Sequence, residues 1–198
     1  MADAASQTGN PADLPDPAEQ AAEAALMTFL GELGIATCTL RHPPFRTVAD
    51  AQALRGDLPG GHAKTLLVRD KKGAMALCVV EESRRVDLKR LAADIGLGRL
   101  SFASPERLMA TLDVKPGAVT PFALINRRNP SAADAPLSVV LDTALLAESL
   151  LNFHPLHNRA TTTISDQDLI RFIAACGYKP AGYDFATGGD VAPVSDGT

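Results

Sequence analysis

The stretch GGHAKTLLVRDKKGAMALCVVEE, residues 60–82, decides how the chain is read. It holds two apolar runs, KTLLVRD from Lys64 and AMALCVVEE from Ala74, with a charged turn ending in Gly73 between them. Strand-length apolar runs separated by a Gly-marked turn predict a β-hairpin. Downstream, Asp87 opens a predicted helix, DLKRLAADIG, with Leu88, Leu91 and Ile95 on one face. LGRLSFA reads as a strand, and Ser104 with Pro105 and Glu106 starts a second helix, SPERLMATL. Residues 117–126 read as a Gly/Pro-marked turn feeding a strand, TPFALIN. LSVVLD and ATTTIS are strand candidates, and Ser165 caps a last helix that Gly177 stops. Upstream, Ala22, Leu26, Phe29, Leu30 and Leu33 recur at helical spacing, predicting a helix from Pro17 to about Leu33. IATCTL then reads as a strand broken by His42-Pro43-Pro44, and Thr47 is placed to cap a short helix through Leu54. Strands and helices interspersed with hairpins predict a mixed α/β domain around one partly antiparallel sheet, not a doubly wound parallel one.

The 198 residues suffice for one domain with tails, and 46% hydrophobic residues supply an ordinary core without a staple. Residues 1–17 are rich in Ala, Asp, Pro, Gly and Ser and read as a disordered tail. Residues 181–198 read as an acidic C-terminal tail, with Tyr183 and Phe185 as its docking candidates. Cys38, Cys78 and Cys176 form no CxxC pair and read as buried thiols in a reducing compartment. No 18-residue apolar span and no signal-peptide pattern is seen, so a cytoplasmic location is expected. The net charge is −4, yet residues 1–33 and 181–198 contain no Lys or Arg, so the middle is basic. That suits contact with a few phosphates, and equally an ordinary mixed surface.

Phosphate-loop, dinucleotide, zincin and lipase motifs are all missing. His154 and His157 form H-x-x-H, but Pro155 between them and the lack of a nearby Cys or carboxylate speak against a metal. With Asn152 and Asn158 they read instead as a polar loop that fixes backbone or lines a site. Lys64, after a Gly-rich turn and at the mouth of an apolar strand, is placed either to reach an anionic oxygen or to sit on the surface. Lys115–Phe122 is stiff and turn-rich. Gly117 permits close backbone approach, and the local N–H groups could serve an oxyanion, or the segment is a plain connection.

HPPF, GGHAKTLLVRDKKG, RRVDLKRLAADIGLGRLSF, PGAVTPFALIN, VVLD and LNFHPLHNRATTTIS follow one another in the order seen in the stand-alone prolyl-tRNA editing domains. From about His42 to Pro180 the chain resembles that family, within the wider superfamily of YbaK-like proteins and the prolyl-tRNA synthetase insertion domain. It looks most like the subgroup that clears Ala from proline tRNA. The resemblance implies a single mixed α/β editing domain over 18–180, with a curved, largely antiparallel sheet and flanking helices. It implies hydrolysis of the aminoacyl ester of tRNA in the service of translation fidelity, with no metal or organic cofactor. The partner implied is the tRNA acceptor end, with prolyl-tRNA synthetase as a further candidate and no membrane.

The family's lysine falls on Lys64, its glycine-proline loop on Gly117 to Phe122, and its HPLxN element on His154, Pro155, Leu156 and Asn158. Lys64, Gly117 and His154 are thus the expected catalytic group. Thr65, Val119, Pro121, Phe122 and Asn158 are expected to bind substrate. Thr65 stands where the Ala-specific subgroup often has Asn, a feature of other branches. Deacylases for Cys or Ser, and a non-catalytic tRNA-binding module using Arg84, Arg85, Lys89, Arg90, Arg127 and Arg128, are the alternatives.

Overall fold

The computed structural model describes residues 15–44 and 58–195. The hairpin is present: β2 (Gly61–Arg69) pairs antiparallel with β3 (Met75–Glu81), Lys64 opposite Val80 and Arg69 opposite Met75. Its turn is organised by the buried Asp70, whose Oδ1 accepts the Lys72 and Ala74 amides at 2.8 and 3.1 Å. Around the hairpin the sheet runs β1-β7-β6-β2-β3-β5-β8-β9, with β4 (Ser101–Phe102) pairing β2 off that path. Here β1 is Cys38–Arg41, β5 Leu137–Asp142, β6 Leu150–Phe153, β7 Ala160–Ser165, β8 Pro180–Tyr183 and β9 Ala192–Pro193. β2·β6, β3·β5 and β5·β8 are parallel and the other pairings antiparallel, so the sheet is mixed.

The run AMALCVV is continuous and not alternating because β3 is buried on both faces. Leu77 and Val79 join a larger apolar cluster with α1 (Pro17–Glu32), α3 (Pro105–Leu112) and α4 (Asp166–Ala175). Ala76, Cys78 and Val80 join a smaller one with Leu91 and Ala92 of α2 (Leu88–Asp94). Asp16, Asp87, Ser104 and Ser165 each cap their helix through a side-chain oxygen, as the sequence led one to expect for the last three.

Several expectations are corrected. TPFALIN is not a strand; Pro121–Arg127 is a 3-10 helix, with the Thr120 hydroxyl accepting the Phe122 amide. A short unbroken apolar run carries no period to separate the two, and here Phe122, Ala123 and Leu124 all point into the core. Asn152, which reads as part of a polar loop, belongs instead to the strand β6 (Leu150–Phe153) between β7 and β2. The C-terminal segment is not a tail from 181. Ala181–Tyr183 continue β8 beside β5, and Tyr183 and Phe185 pack edge-to-face in the smaller cluster. Cys38, expected to be buried, is exposed on β1, whereas Cys78 and Cys176 are buried, with thiol pKa values pushed by desolvation to about 12. The expected tail at 1–17 falls mostly outside the described residues; its last two belong to the cap and first turn of α1. The expected helix at Thr47–Leu54 also lies outside them. Among the described residues no helix is long and apolar enough to cross a membrane.

Candidate active site

Strand register assigns the site residues to faces. Leu151, Phe153 and Ile164 belong to the larger cluster. Alternation therefore puts Asn152 and Thr163, paired across β6 and β7, on the opposite face. Continued outward, the same face carries Thr161 and His42, whose ring Nε2 lies 2.9 Å from the Thr161 hydroxyl. On β2 it carries His62 and Lys64, since Gly61 pairs Leu151 and His62 pairs Asn152. Two residues on, Lys64 keeps this face of β2, and His154 follows the last residue of β6 with its ring 6.0 Å from that of His42. Half of this face is the smaller apolar cluster; the half over β1, β7, β6 and the start of β2 is polar.

The polar half is tightly satisfied. Asn152 is buried, accepts the Thr163 hydroxyl at 2.7 Å and donates to the Pro59 carbonyl at 2.9 Å. His62 Nε2 lies 3.1 Å from the Leu58 carbonyl. Gly60, at φ +98, lets β2 start against β6, because a Cβ there would lie 2.5 Å from the Leu150 carbonyl oxygen. Lys64 donates from Nζ to the Glu82 carbonyl at 3.0 Å and to the Arg84 carbonyl. The Arg84 guanidinium in turn pairs with the fully buried Asp142 at 3.2 Å and with Asp184 at 2.9 Å.

The loop between β6 and β7 carries His154 to Asn158. His154 Nδ1 lies 2.8 Å from the Ala160 carbonyl, so Nδ1 bears the hydrogen and Nε2 the lone pair. Burial pushes its pKa down to about 4, with the nearby His42 and His157 acting in the same direction and the carbonyl contact opposing. The ring is neutral at pH 7. Leu156 holds φ +70 with its side chain buried, a conformation an L-residue adopts only when its surroundings impose it. His157 points the other way: Nε2 donates to Glu23 at 3.0 Å and Nδ1 accepts the Arg159 amide at 3.1 Å. Both its nitrogens are engaged, so H-x-x-H is not a metal pair. Among the described residues no group of three His, Cys, Asp or Glu could hold a metal ion.

Gly117 holds φ +85, and a Cβ built there would stand 3.7 Å from Asn158 Nδ2, so the two loops touch. Among the described residues the Gly117 and Val119 amides meet no protein acceptor, while the Ala118 amide closes the turn onto Lys115. The expected residues thus fall into groups. Lys64 and His154 belong to the polar half-face, and Gly117 lies against Asn158. Thr65, opposite Val79, lies on the other face of β2 from Lys64. Phe122 is fully buried with its ring edge-on to Phe153 and Phe172 and not on a surface; Pro121 beside it is also buried, and Val119 is partly so.

Residues 42–172 match the family described as aminoacyl-tRNA editing domain. The chain belongs to that family. It is an aminoacyl-tRNA deacylase acting on charged tRNA, as the sequence led one to expect. The chain is 34% identical over 157 residues to the prolyl-tRNA editing protein ProX of Acetoanaerobium sticklandii, covering 79% of this chain and 93% of that protein. It is 33% identical over 162 residues to the prolyl-tRNA synthetase associated domain-containing protein 1 of Bos taurus, covering 79% of this chain and 91% of that one. A solved structure described as a candidate trans-editing enzyme for prolyl tRNA synthetase superposes with a TM-score of 0.61 at 24% identity. It covers 90% of this chain and 99% of its own, and shows the shared fold.

The sequence reading passed over Thr161 and Thr163 as site-lining groups. The available signal was the alternation in ATTTIS: every second residue of β7 faces the polar half. It also passed over Glu19 and Glu23, read only as part of an acidic end.

Proposed function

We propose that this editing enzyme hydrolyses the ester of Ala-tRNA(Pro), working in trans in the cytoplasm, with prolyl-tRNA synthetase as its candidate partner. The observation that carries the reading is the β2–β6 pairing, Gly61 with Leu151 and His62 with Asn152, beyond which Lys64 and the loop bearing His154 follow along one polar half-face. The name of the Acetoanaerobium relative supports proline tRNA.

In the reaction, water oxygen bonds to the ester carbonyl carbon and the carbon–oxygen bond to the terminal ribose breaks. The proton released by the water ends on the ribose oxygen. Lys64, held at the end of β3, offers a point charge to a terminal phosphate or the carbonyl oxygen. The Gly117 and Val119 amides face the developing oxyanion. His154, neutral and with a pKa of about 4, is too weak a base to drive the step and holds water or ribose instead. Asn158 orients the substrate against Gly117. Val119 and Pro121 form the wall that limits side-chain size, with Phe122 behind them. A closed wall excludes the bulkier prolyl group by clash, which discriminates more strongly than a missing methylene at about 1–3 kcal/mol. Arg84 is engaged by Asp142 and Asp184, Arg90 by the Ala186 carbonyl, and Arg128 stacks over Phe29, so these candidates for a nucleic-acid-binding surface are already committed within the fold.

Hydrolysis of Ala-tRNA(Pro) beside Pro-tRNA(Pro), for wild type and Lys64→Ala, tests the reading. Loss of the alanyl ester alone, slowed about 100-fold or more by the substitution, is expected. Equal turnover by the variant removes Lys64 from the site. Turnover only of Cys- or Ser-charged tRNA moves the substrate assignment to those amino acids.

A further inference from the structure

Three chain segments bearing candidate site residues are anchored to one face of one helix. Glu19 and Glu23 stand four residues apart on α1 and so share a face. Lys115, two residues before Gly117, donates to Glu19 and to the cap residue Asp16, both at 3.0 Å. Arg159, next to Asn158, lies 3.7 Å from Glu19. His157, on the other side of Asn158, donates to Glu23 at 3.0 Å. Arg41, next to His42, donates to the same Glu23 oxygen at 2.7 Å. Every anchor is one or two residues from a candidate site group: Gly117, Asn158 or His42.

The Glu23 pair is the inner one. Its carboxylate is nearly excluded from water and His157 fully so. Burial alone would favour the neutral acid, but the His157 and Arg41 contacts outweigh it and keep the carboxyl below its ordinary value. A buried, ionised acceptor with two aimed donors fixes direction as well as distance. Leu156 at φ +70 lies between His154 and His157, so the loop's shape is imposed from outside.

We infer that Glu23 is a positioning residue for deacylation. Through His157 it sets Asn158 against Gly117 and fixes the loop that carries His154, while Glu19 bridges the two loops through Lys115 and Arg159. This rests on the ester-hydrolysis reading above, since positioning matters only where reacting groups must meet within about 1 Å.

The test uses the full chain, with Glu23→Ala, Glu23→Gln and the more exposed Lys115→Ala. For Ala-tRNA(Pro), Glu23→Ala is expected to lower kcat about tenfold with KM changed less than about twofold. Glu23→Gln, whose amide oxygen still accepts from His157, is expected to recover most of that loss. Lys115→Ala, which removes an exposed pair that contributes little stability, is expected to lower kcat about threefold at unchanged Tm. In parallel, the Gly117 backbone amide and Asn158 side-chain amide are followed by NMR. Both resonances should move in Glu23→Ala and return toward wild type in Glu23→Gln. Folded Glu23→Ala with unmoved resonances, or folded Glu23→Ala or Lys115→Ala with wild-type kcat, overturns the inference. If Glu23→Ala does not fold, Glu23→Asp, which draws the carboxylate back from His157, takes its place, and wild-type kcat with unmoved resonances there overturns it equally. A wild type that turns over no Ala-tRNA(Pro) defeats the substrate reading instead, and the NMR shifts still decide whether α1 sets the loops.

Discussion

At Asn152 one carboxamide ties three segments together: it accepts from Thr163 on β7 and donates to the carbonyls of Pro59 and Gly61. Losing it leaves a buried hydroxyl and two carbonyls without that partner. Asn152→Ala is expected to cost about 2–3 kcal/mol in denaturant unfolding, and Asn152→Asp more, because a carboxylate would face two carbonyl oxygens. A loss below about 0.5 kcal/mol would mean the carboxamide is not what closes the polar half-face. His154 gives a pH signature. Its folded pKa, about 4, lies below the ordinary 6.5, so the unfolded chain takes up the proton first as pH falls. The stability tied to the neutral ring is full above about pH 6.5 and is lost toward pH 4. Burial of His42 acts in the same direction. Thermal melts from about pH 7 to about pH 5 should show Tm falling by roughly 5 °C, and His154→Gln should flatten that slope. An unchanged slope in the variant would place the titration elsewhere.

Among elements, the C-terminal segment departs furthest from its sequence reading. AGYDFATGGD has the small and polar composition of a tail, and only two large side chains speak against it. Those two decide: Tyr183 and Phe185 cover α2 and the second face of β3, and the Tyr183 hydroxyl donates to Asp94 at 2.8 Å. Asp184 adds the ion pair to Arg84, next to the carbonyl that receives Lys64. Phe185→Ala is therefore expected to destabilise by about 3–5 kcal/mol, as a core aromatic does, and a chain ending at 180 should not fold cooperatively. Calorimetry of both variants checks this; a wild-type Tm in either would restore the tail. The hairpin and the capped helices were legible because their signals are local: a Gly-marked turn, an Asp or Ser before an amphipathic run. β6 and the 3-10 helix were not, since four to seven apolar residues fit a strand or a buried turn of helix alike.

For the molecule as a whole, charge is used mostly within the fold. The acidic first helix, Glu19 and Glu23 included, neutralises Lys115, Arg159 and Arg41, and the Arg84 guanidinium is held between two aspartates. The described cations nearest the proposed site, Lys64, Arg84, Arg41, Lys115 and Arg159, are engaged within the fold, so tRNA binding there should depend weakly on salt. Log KM against log salt is expected to have a slope of about 2–3, and a slope near 6 would require a phosphate-tracking surface these pairings do not provide.

The sequence alone determined the hairpin, the mixed α/β class, most helix ends and, through an ordered set of motifs, the editing family. These follow from near neighbours along the chain, where turn chemistry, capping and periodicity act. Only the tertiary structure decided that Lys64 and His154 share a face while Thr65 turns away, that Phe122 is core, and that Glu23 reaches His157. Those relations join residues up to 134 positions apart. They are set by strand register and by the burial of charge against charge, neither of which leaves a local pattern to read.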